Sequence, residues 1–231
     1  MGQYVFVTGT DTNVGKTLAS CALLQSAVRN GYRSVGYKPV SSGCVLTPHG
    51  ARSKDALALI ANSNVSLNYN QVNPFALSSP TSPSIACHIE RQNIDINLLS
   101  KGLTDLGIIS DLVVVEGVGG WLTPLGEELD FSDWVRYERL PVILVSGIKL
   151  GVINHSLLTA AVIHQAGLRL VGWIANHPLP SVQFASEYII DLTNRLDVPL
   201  LGVIPYLRRS EERELGHYLN FSLLRRIILA R

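Results

Sequence analysis

The chain has 231 residues and a formal net charge of +1, from 19 Lys and Arg against 18 Asp and Glu. This balance excludes a broad basic surface for nucleic acid or for an anionic membrane. Hydrophobic residues make up 47% and charged residues 16%, which excludes an intrinsically disordered chain. The length fits one domain, so we expect a single α/β unit over residues 1–231.

The six predicted strands are short, apolar and separated by segments long enough for helices. In chain order they are Tyr4–Val7, Ser34–Tyr37, Leu112–Val115, Val142–Val145, Leu170–Ile174 and Leu200–Ile204. The predicted helices between them are Thr17–Arg29, Ile94–Leu106, Asn154–Gln165 and Phe184–Leu196. The strands do not alternate polar and apolar residues, which is typical of a sheet covered on both faces. The pattern predicts a doubly wound, mainly parallel α/β fold of the P-loop type, with ligands at the carboxyl edge.

Two further segments complete the prediction. Asn62–Pro83 is rich in Asn, Ser and Pro without a helical period, which predicts a long surface excursion, either a lid or a plain loop. Leu219–Ala230 has the period of a short amphipathic helix, with Arg225 and Arg226 on its solvent side.

The cysteines and the hydropathy pattern bear on compartment. The three cysteines, Cys21, Cys44 and Cys87, lack close pairs, which favours neither a disulfide framework nor a zinc cluster. The amino terminus lacks the pattern of a secretory signal, and no apolar run approaches the roughly 18 residues of a membrane span. We therefore expect a cytoplasmic protein in a reducing compartment.

A glycine loop follows the first predicted strand and opens a helix: Gly9-Thr-Asp-Thr-Asn-Val-Gly-Lys-Thr17. In such a loop successive backbone N–H groups surround phosphate oxygens. Lys16 would bring a cation to the β- and γ-phosphates, and Thr17 a hydroxyl to Mg²⁺. The strict P-loop has its first glycine where this chain has Thr10, so the loop is a variant by one residue. Nucleotide binding is the prediction.

Asn176 follows the fifth predicted strand and bears on the choice of base. Guanine-specific P-loop proteins have an Asn-Lys-x-Asp motif, whereas Asn176-His-Pro-Leu179 lacks the Asp. An amide can pair with adenine N6 and N7, which favours ATP, although an Asn before Pro178 also fits a plain turn. Partitioning and cell-division ATPases carry a lysine at the position of Asp11, which argues against that group.

Three charged residues lie near other strand ends. Glu116 directly follows a buried strand and is a candidate Mg²⁺ ligand, with a turn carboxylate as the alternative. Asp55 lies in the first turn of an apparent helix, where the helix dipole alone would also explain it. Lys38 adds a second cation, more than nucleotide binding needs, which favours a transferring phosphoryl group over a solvated lysine.

Taken together, these motifs resemble the dethiobiotin synthetase family over nearly the whole chain. Besides the phosphate loop, the matching stretches are Gly36-Tyr-Lys-Pro-Val40, Thr47-Pro-His-Gly50, Asp55-Ala-Leu-Ala-Leu59, Pro80-Thr-Ser-Pro83, Val115-Glu-Gly-Val-Gly-Gly-Trp121, Leu140-Pro-Val-Ile-Leu-Val145 and Ile153-Asn-His155.

The resemblance implies a reaction of diaminononanoate, CO₂ and ATP to dethiobiotin, ADP and phosphate. One amine captures CO₂ as a carbamate, the carbamate takes the γ-phosphoryl group, and the second amine displaces phosphate. Lys16 and Lys38 would neutralise the reacting anions, while Thr12 and Ser42 would hydrogen-bond the carbamate or the amines. The resemblance also makes Thr17, Asp55 and Glu116 the expected Mg²⁺ ligands.

The same resemblance implies the remaining binding residues. A homodimer is expected, in which the partner's matches to Leu150, Gly151 and Asn154, beside Ser42 and Gly119, bind the substrate. The expected nucleotide-binding set is Asn13, Val14, Gly15, Lys16, Thr17, Leu18, Asp55, Glu116, Gly117, Val118, Gly119, Asn176, His177, Pro205, Tyr206, Leu207 and Glu212. Many relatives have Glu in place of Asn13, and some have an acidic residue in place of His177.

Two other functions remain open at this point. Another P-loop ligase that activates a carboxylate would need the same phosphate apparatus, and fold likeness alone does not separate the two. A non-catalytic ATPase switch is the second alternative, against which Lys38, Ser42 and the absent early lysine count.

Overall fold

Apolar, β-branched segments form the centre of the fold in the computed structural model, which describes residues 2–208 and 214–228. The strands are β1 (Gln3–Gly9), β2 (Ser34–Tyr37), β3 (Val40–Ser41), β4 (Val45–Thr47), β5 (Gly50–Arg52), β6 (Phe75–Ala76), β7 (Leu112–Glu116), β8 (Val142–Gly147), β9 (Leu170–Asn176) and β10 (Leu200–Ile204). The helices are α1 (Lys16–Arg29), α2 (Lys54–Asn62), α3 (Tyr69–Val72), α4 (Pro83–Glu90), α5 (Ile96–Ile109), α6 (Phe131–Tyr137), α7 (Val152–Gln165), α8 (Ala185–Arg195) and α9 (Phe221–Ile228).

Six strands form one parallel sheet in the order β10-β9-β8-β1-β7-β2. The predicted parallel sheet is therefore confirmed. Side chains alternate between its two faces: Val5 and Val7 of β1 pack with α1, α2 and α9, while Phe6 packs with the opposite layer, which contains α5 to α8. Both faces are covered, which explains the continuous apolar runs in the strands.

The strand order places the site. β1 lies between β7 and β8, so the chain leaves β1 at the point where the order reverses, and a crevice opens there at the carboxyl edge. The phosphate loop follows β1, Lys38 follows β2, and Glu116 ends β7. Three distant parts of the sequence meet at this edge.

The predicted helices are confirmed with shifts of a few residues at their ends. The carboxyl-terminal helix is observed as Phe221–Ile228, with Arg225 and Arg226 exposed as expected, and the end of the predicted helix lies outside the described residues. Among the described residues, no helix is both long and apolar enough to cross a membrane.

The prediction that Asn62–Pro83 is a long surface excursion, either a lid or a plain loop, is wrong in part. It contains the single-turn helix α3, started by a capping box between Asn68 and Gln71, and strand β6, which pairs in parallel with β3. Both elements are too short to give a periodic signal in the sequence. The β4–β5 hairpin and the helices α4 and α6 were not predicted either.

Candidate active site

The phosphate loop has the strand, loop and helix order that its motif requires. α1 begins at Lys16, directly after Gly15, whose φ of 98° lies in the left-handed region. A Cβ on Gly15 would lie 2.2 Å from the side-chain nitrogen of Asn176, so this position admits glycine alone. Asn13 has a φ of 60°, a conformation that Asn adopts more readily than most residues. The first N–H groups of α1 are thus presented at the crevice.

Lys16 lies across the mouth of this loop. Its ammonium group donates hydrogen bonds to the carbonyl oxygens of Asp11, at 2.9 Å, and Gly119, at 2.5 Å. Burial, together with repulsion from Lys38, lowers the pKa of Lys16 to about 8. Both acceptors are backbone carbonyls, so a phosphate oxygen is an anionic partner that can replace them without a change of fold.

Lys38 lies in the interior between two carboxylates and is 1% exposed. Its Nζ lies 2.6 Å from Glu116 Oε1 and 3.0 Å from Asp55 Oδ2, and it also donates to the carbonyl oxygen of Gly117. Burial alone would lower the pKa of Lys38, but the attraction of Glu116 and Asp55 outweighs it, and the pKa is raised. Lys38 is therefore a permanently charged group at the centre of the site.

The two carboxylates have unequal surroundings. Glu116 is fully buried, whereas the Asp55 side chain is 45% exposed at the start of α2. Burial would raise the pKa of Asp55, but Lys38 and the Thr17 hydroxyl lower it, so the group is ionised at neutral pH. The Thr17 hydroxyl donates to Glu116 Oε1 at 2.8 Å. One oxygen of Glu116 therefore accepts from both Lys38 and Thr17.

The other oxygen, Glu116 Oε2, is buried and has no hydrogen-bond partner among the residues that the structure describes. A buried carboxylate oxygen without a partner is costly unless a ligand completes it. With the Thr17 hydroxyl and the Asp55 carboxylate nearby, the donor set consists of hard oxygen atoms only. This set fits Mg²⁺, which takes one or two protein carboxylates and draws its other ligands from phosphates and water.

Asn176 ends β9 beside the loop. Its side-chain nitrogen donates to the carbonyl oxygen of Val14 at 2.8 Å, which ties this strand end to the loop. Its side-chain oxygen is buried and has no partner within residues 2–208 and 214–228. The oxygen and one N–H of the amide are thus left to meet a ligand, which is what the predicted pairing with adenine N6 and N7 requires. His177 donates its backbone N–H to Ile204, so it lies next to the stretch 205–207.

The other predicted residues are placed as follows. Gly117 and Val118 continue from β7, and Leu18 lies in the first turn of α1. Leu150 and Gly151 precede α7, and Asn154 lies in its first turn. Lys38, Asp55, Glu116 and Thr17 form one bonded cluster. Within residues 2–208 and 214–228, no hydrogen bond or ion pair joins this cluster to Thr12, Ser42, Leu150, Gly151 or Asn154. Glu212 lies outside the described residues.

Two residues at this edge, Lys149 and Asp11, were not among the predicted site residues. Lys149 follows β8, and its Nζ lies 3.9 Å from a carboxylate oxygen of Asp11. The other oxygen of Asp11 accepts the backbone N–H of Thr12, which shapes the loop. The rule that ligands meet the carboxyl ends of strands would have found Lys149, since it stands two residues after Gly147.

The chain is similar to known proteins over nearly its whole length. A family model described as AAA domain matches residues 3–214. A dethiobiotin synthetase of Baumannia cicadellinicola subsp. Homalodisca coagulata is 57% identical over 97% of this chain and all of that protein. A dethiobiotin synthetase of Escherichia coli (strain K12) is 52% identical, again over 97% and 100%.

Among solved structures, MinD with Mg-ADP from Pyrococcus horikoshii OT3 superposes with a TM-score of 0.60 at 16% identity, covering 94% of this chain and 93% of that chain. A ParA family ATPase from Chlorobium tepidum superposes with a TM-score of 0.58 at 11% identity, covering 97% and 99%. At such identities the likeness concerns the fold alone.

Fold and site together define an α/β P-loop protein of the nucleotide-binding class. Within that class, the chain belongs to the ATP-dependent dethiobiotin synthetase family. Its enzyme class is accordingly that of ATP-dependent ligases that form carbon–nitrogen bonds.

Proposed function

We propose that this enzyme closes the ureido ring of dethiobiotin from 7,8-diaminononanoate, CO₂ and ATP, with release of ADP and phosphate. The carrying observation is the buried Lys38 ammonium, held between Glu116 and Asp55 and linked through Glu116 to Thr17 of the phosphate loop. Binding a nucleotide alone does not require such a group, whereas transfer of a phosphoryl group does. The family names support the substrate assignment.

The reaction begins with a carbamate. One amine of diaminononanoate adds to CO₂, and a carbamate oxygen then takes the γ-phosphoryl group of ATP, with ADP as the leaving group. Lys38 and Lys16 stabilise the negative charge that is shared by the carbamate and the phosphoryl oxygens during transfer. Thr12 and Ser42 orient the carbamate by hydrogen bonds. The second amine attacks the carbonyl carbon of the mixed anhydride, expels phosphate and closes the ring.

The nucleotide lies along the loop. The N–H groups of Asn13 to Leu18 surround the phosphates, and the backbone of residues 117–119 faces them from β7. Asn176 accepts a hydrogen bond from adenine N6 through the oxygen that has no partner in the described part of the chain. His177 and the residues Pro205, Tyr206, Leu207 and Glu212 border the base and the ribose.

Thr17, Asp55 and Glu116 are the residues that hold Mg²⁺, which neutralises phosphate charge when it is bound. We further propose that the enzyme is a cytoplasmic homodimer. The substrate carboxylate then meets the first turn of the partner's α7, where the matches to Leu150, Gly151 and Asn154 supply backbone N–H groups and an amide.

The reaction is tested directly. The purified enzyme is incubated with ATP, Mg²⁺, bicarbonate and diaminononanoate, and mass spectrometry follows dethiobiotin and ADP. Dethiobiotin formed in step with ADP supports the proposal. ADP released at one rate with and without the two co-substrates would favour an ATPase switch, and ADP coupled to a different amine or acid would favour another ligase.

The role of Glu116 is tested by Glu116→Gln, which removes the charge and keeps the shape. We expect the Mg²⁺ concentration for half-maximal activity to rise about 10-fold, because an anionic ligand is lost, and excess Mg²⁺ to restore part of the activity. Asp111→Asn is the matched control, since Asp111 precedes the same strand at its other end. An unchanged Mg²⁺ titration for Glu116→Gln would leave that residue with a structural role only.

A further inference from the structure

Asn73 is a buried residue that is not among the predicted site residues. It follows α3 and is 1% exposed. Its nitrogen donates to the carbonyl oxygens of Lys38, at 2.6 Å, and Phe75, at 3.3 Å. Its oxygen accepts from the hydroxyls of Ser41, at 2.8 Å, and Tyr69, at 2.7 Å. All four hydrogen-bonding positions of the amide are therefore used.

Tyr69 extends this network to the other side of the site. Its hydroxyl accepts the backbone N–H of Ser53 at 2.6 Å. Ser53 caps α2, and Asp55 lies in the first turn of that helix. The guanidinium of Arg52 lies 4.1 Å from the centre of the Tyr69 ring and helps to fix it. The network thus connects the backbone of Lys38 to the helix end that carries Asp55.

A second set of hydrogen bonds joins the segment around Asn73 to the backbone of Lys38 and to β3. The backbone N–H of Lys38 donates to Val72 in α3, and β3 pairs with β6 just after Asn73. Ser41, bonded to Asn73, is the neighbour of Ser42. The segment 69–76 therefore lies behind the Lys38 segment and fixes it from the side opposite the phosphate loop.

We propose that Tyr69 and Asn73 are positioning residues that set the 3.0 Å separation between Lys38 Nζ and Asp55. Neither side chain lies in the predicted site, and both act through the groups they hold. A buried network in which every member is satisfied is stiff, and groups behind metal ligands and reacting groups tune affinity and rate. The inference rests on the proposed function for its rate measurement, but its metal measurement is independent of the reaction.

Tyr69→Phe is the sharpest test, because it removes one oxygen and keeps the ring on which Arg52 lies. We expect kcat for dethiobiotin formation to fall about 10-fold with KM for ATP within twofold of wild type. We also expect the Mg²⁺ concentration for half-maximal binding of a fluorescent ADP analogue to rise by roughly the same factor, since Asp55 is displaced.

Tyr37→Phe is the matched control. Tyr37 is fully buried, and its hydroxyl donates to the carbonyl oxygen of Leu99 in α5, away from α2. We expect this variant to lose thermal stability as Tyr69→Phe does, without a change in kcat or in the Mg²⁺ titration. Equal behaviour of the two variants in all three measurements would reduce Tyr69 to an ordinary structural residue and overturn the proposal.

A double-mutant cycle tests whether Tyr69 acts through Asp55. In an Asp55→Asn background, Tyr69→Phe is expected to raise the Mg²⁺ requirement by less than twofold, because the group it positions has already lost its charge. Additive effects would contradict the proposal. Wild-type enzyme that makes no dethiobiotin, together with a shifted Mg²⁺ titration in Tyr69→Phe, would refute the proposed reaction and leave the positioning role standing.

Discussion

The Lys38 side chain is stable in the interior only because Glu116 and Asp55 face it. A buried ion pair that loses one member leaves an uncompensated charge, which costs far more than the pair itself contributes. In Lys38→Gln, two carboxylates would face each other without an ammonium group between them. Stability and the proposed phosphoryl transfer therefore both involve the same atom, Lys38 Nζ.

We expect Lys38→Gln to lower the free energy of unfolding by about 3 kcal/mol without Mg²⁺, and by less with it, since the metal also neutralises the carboxylates. Turnover should fall by roughly 100-fold while ATP affinity stays near that of wild type. Urea unfolding with and without Mg²⁺, and single-turnover formation of ADP, measure the two effects. Lys101→Gln, at an exposed ion pair on α5, is the control. Near-wild-type turnover would remove the catalytic role of Lys38.

His177 gives a prediction for pH. Burial lowers the pKa of His177 below its usual 6.5. Folding thus favours the neutral form of His177. Its contribution to stability is fully present above pH 6.5 and is lost as the pH falls from 6.5 through the lowered pKa of the folded state. Between pH 7.5 and 5.5, which we choose to bracket 6.5, wild type should lose more stability than His177→Gln. Thermal unfolding measures this, with the exposed His88→Gln as control. Parallel curves for wild type and His177→Gln would contradict the prediction.

At the scale of elements, the seat of α2 on β2 decides where Asp55 lies. A Cβ on Gly36 would lie 2.5 Å from Leu59 Cβ, so this position in β2 lets the helix approach the sheet. Leu59 of α2 is fully buried between α1 and the sheet, so the position of α2 is fixed by this packing. Any side chain at position 36 must push α2 outward.

Gly36→Ala should therefore destabilise the protein by about 2 kcal/mol, as overpacked cores do, and raise the Mg²⁺ requirement through the displaced Asp55. The control is Gly126→Ala, where a Cβ meets nothing within 4 Å. Urea unfolding and the Mg²⁺ titration are the two measurements. A loss of stability without a change in the titration would show that Asp55 follows Lys38 rather than the seat of α2.

Some of these elements could be predicted from the sequence, and others could not. β7 is an apolar run with a carboxylate at its end, so both the strand and the location of Glu116 at the sheet edge could be inferred from local pattern. α3 and β6 could not, because a four-residue helix and a two-residue strand are held by tertiary contacts. The roles of the site residues stay predictions. The contact of Lys16 with Gly119 and that of Asn73 with Lys38 have no signal in the sequence, since these partners are distant in the chain.

At the scale of the whole molecule, apolar side chains are exposed around α7. Leu150, just before the helix, is 85% exposed, and Leu158 within it is 58% exposed. Exposed apolar surface of this kind can form part of a protein interface when it is contiguous. The proposed homodimer would cover them, and a two-fold interface would bring the first turn of each α7 to the other protomer's site.

A mixing experiment tests whether the site is shared. Lys38→Gln removes the phosphoryl-transfer group from its own site, and Gly151→Asp places a negative charge where the substrate carboxylate should bind on the partner. Each variant alone should be almost inactive. After mixing in denaturant and refolding, half of the dimers should be mixed, and each of these should contain one intact site, so about a quarter of wild-type activity should return. Sedimentation velocity, which should show a dimer in every sample, and dethiobiotin formation are the measurements.

The result shows whether the substrate-binding residues of a site come from its own chain or from the partner. If Gly151 serves the site of its own chain, each protomer of a mixed dimer has one damaged site, and the mixture stays inactive. The doubly substituted chain, refolded with wild type, resolves this case. A shared site leaves each mixed dimer with two damaged sites, whereas a site within one chain leaves one intact. Wild type that sediments as a monomer at assay concentration would refute the dimer, and the carboxylate would then need a partner on the same chain.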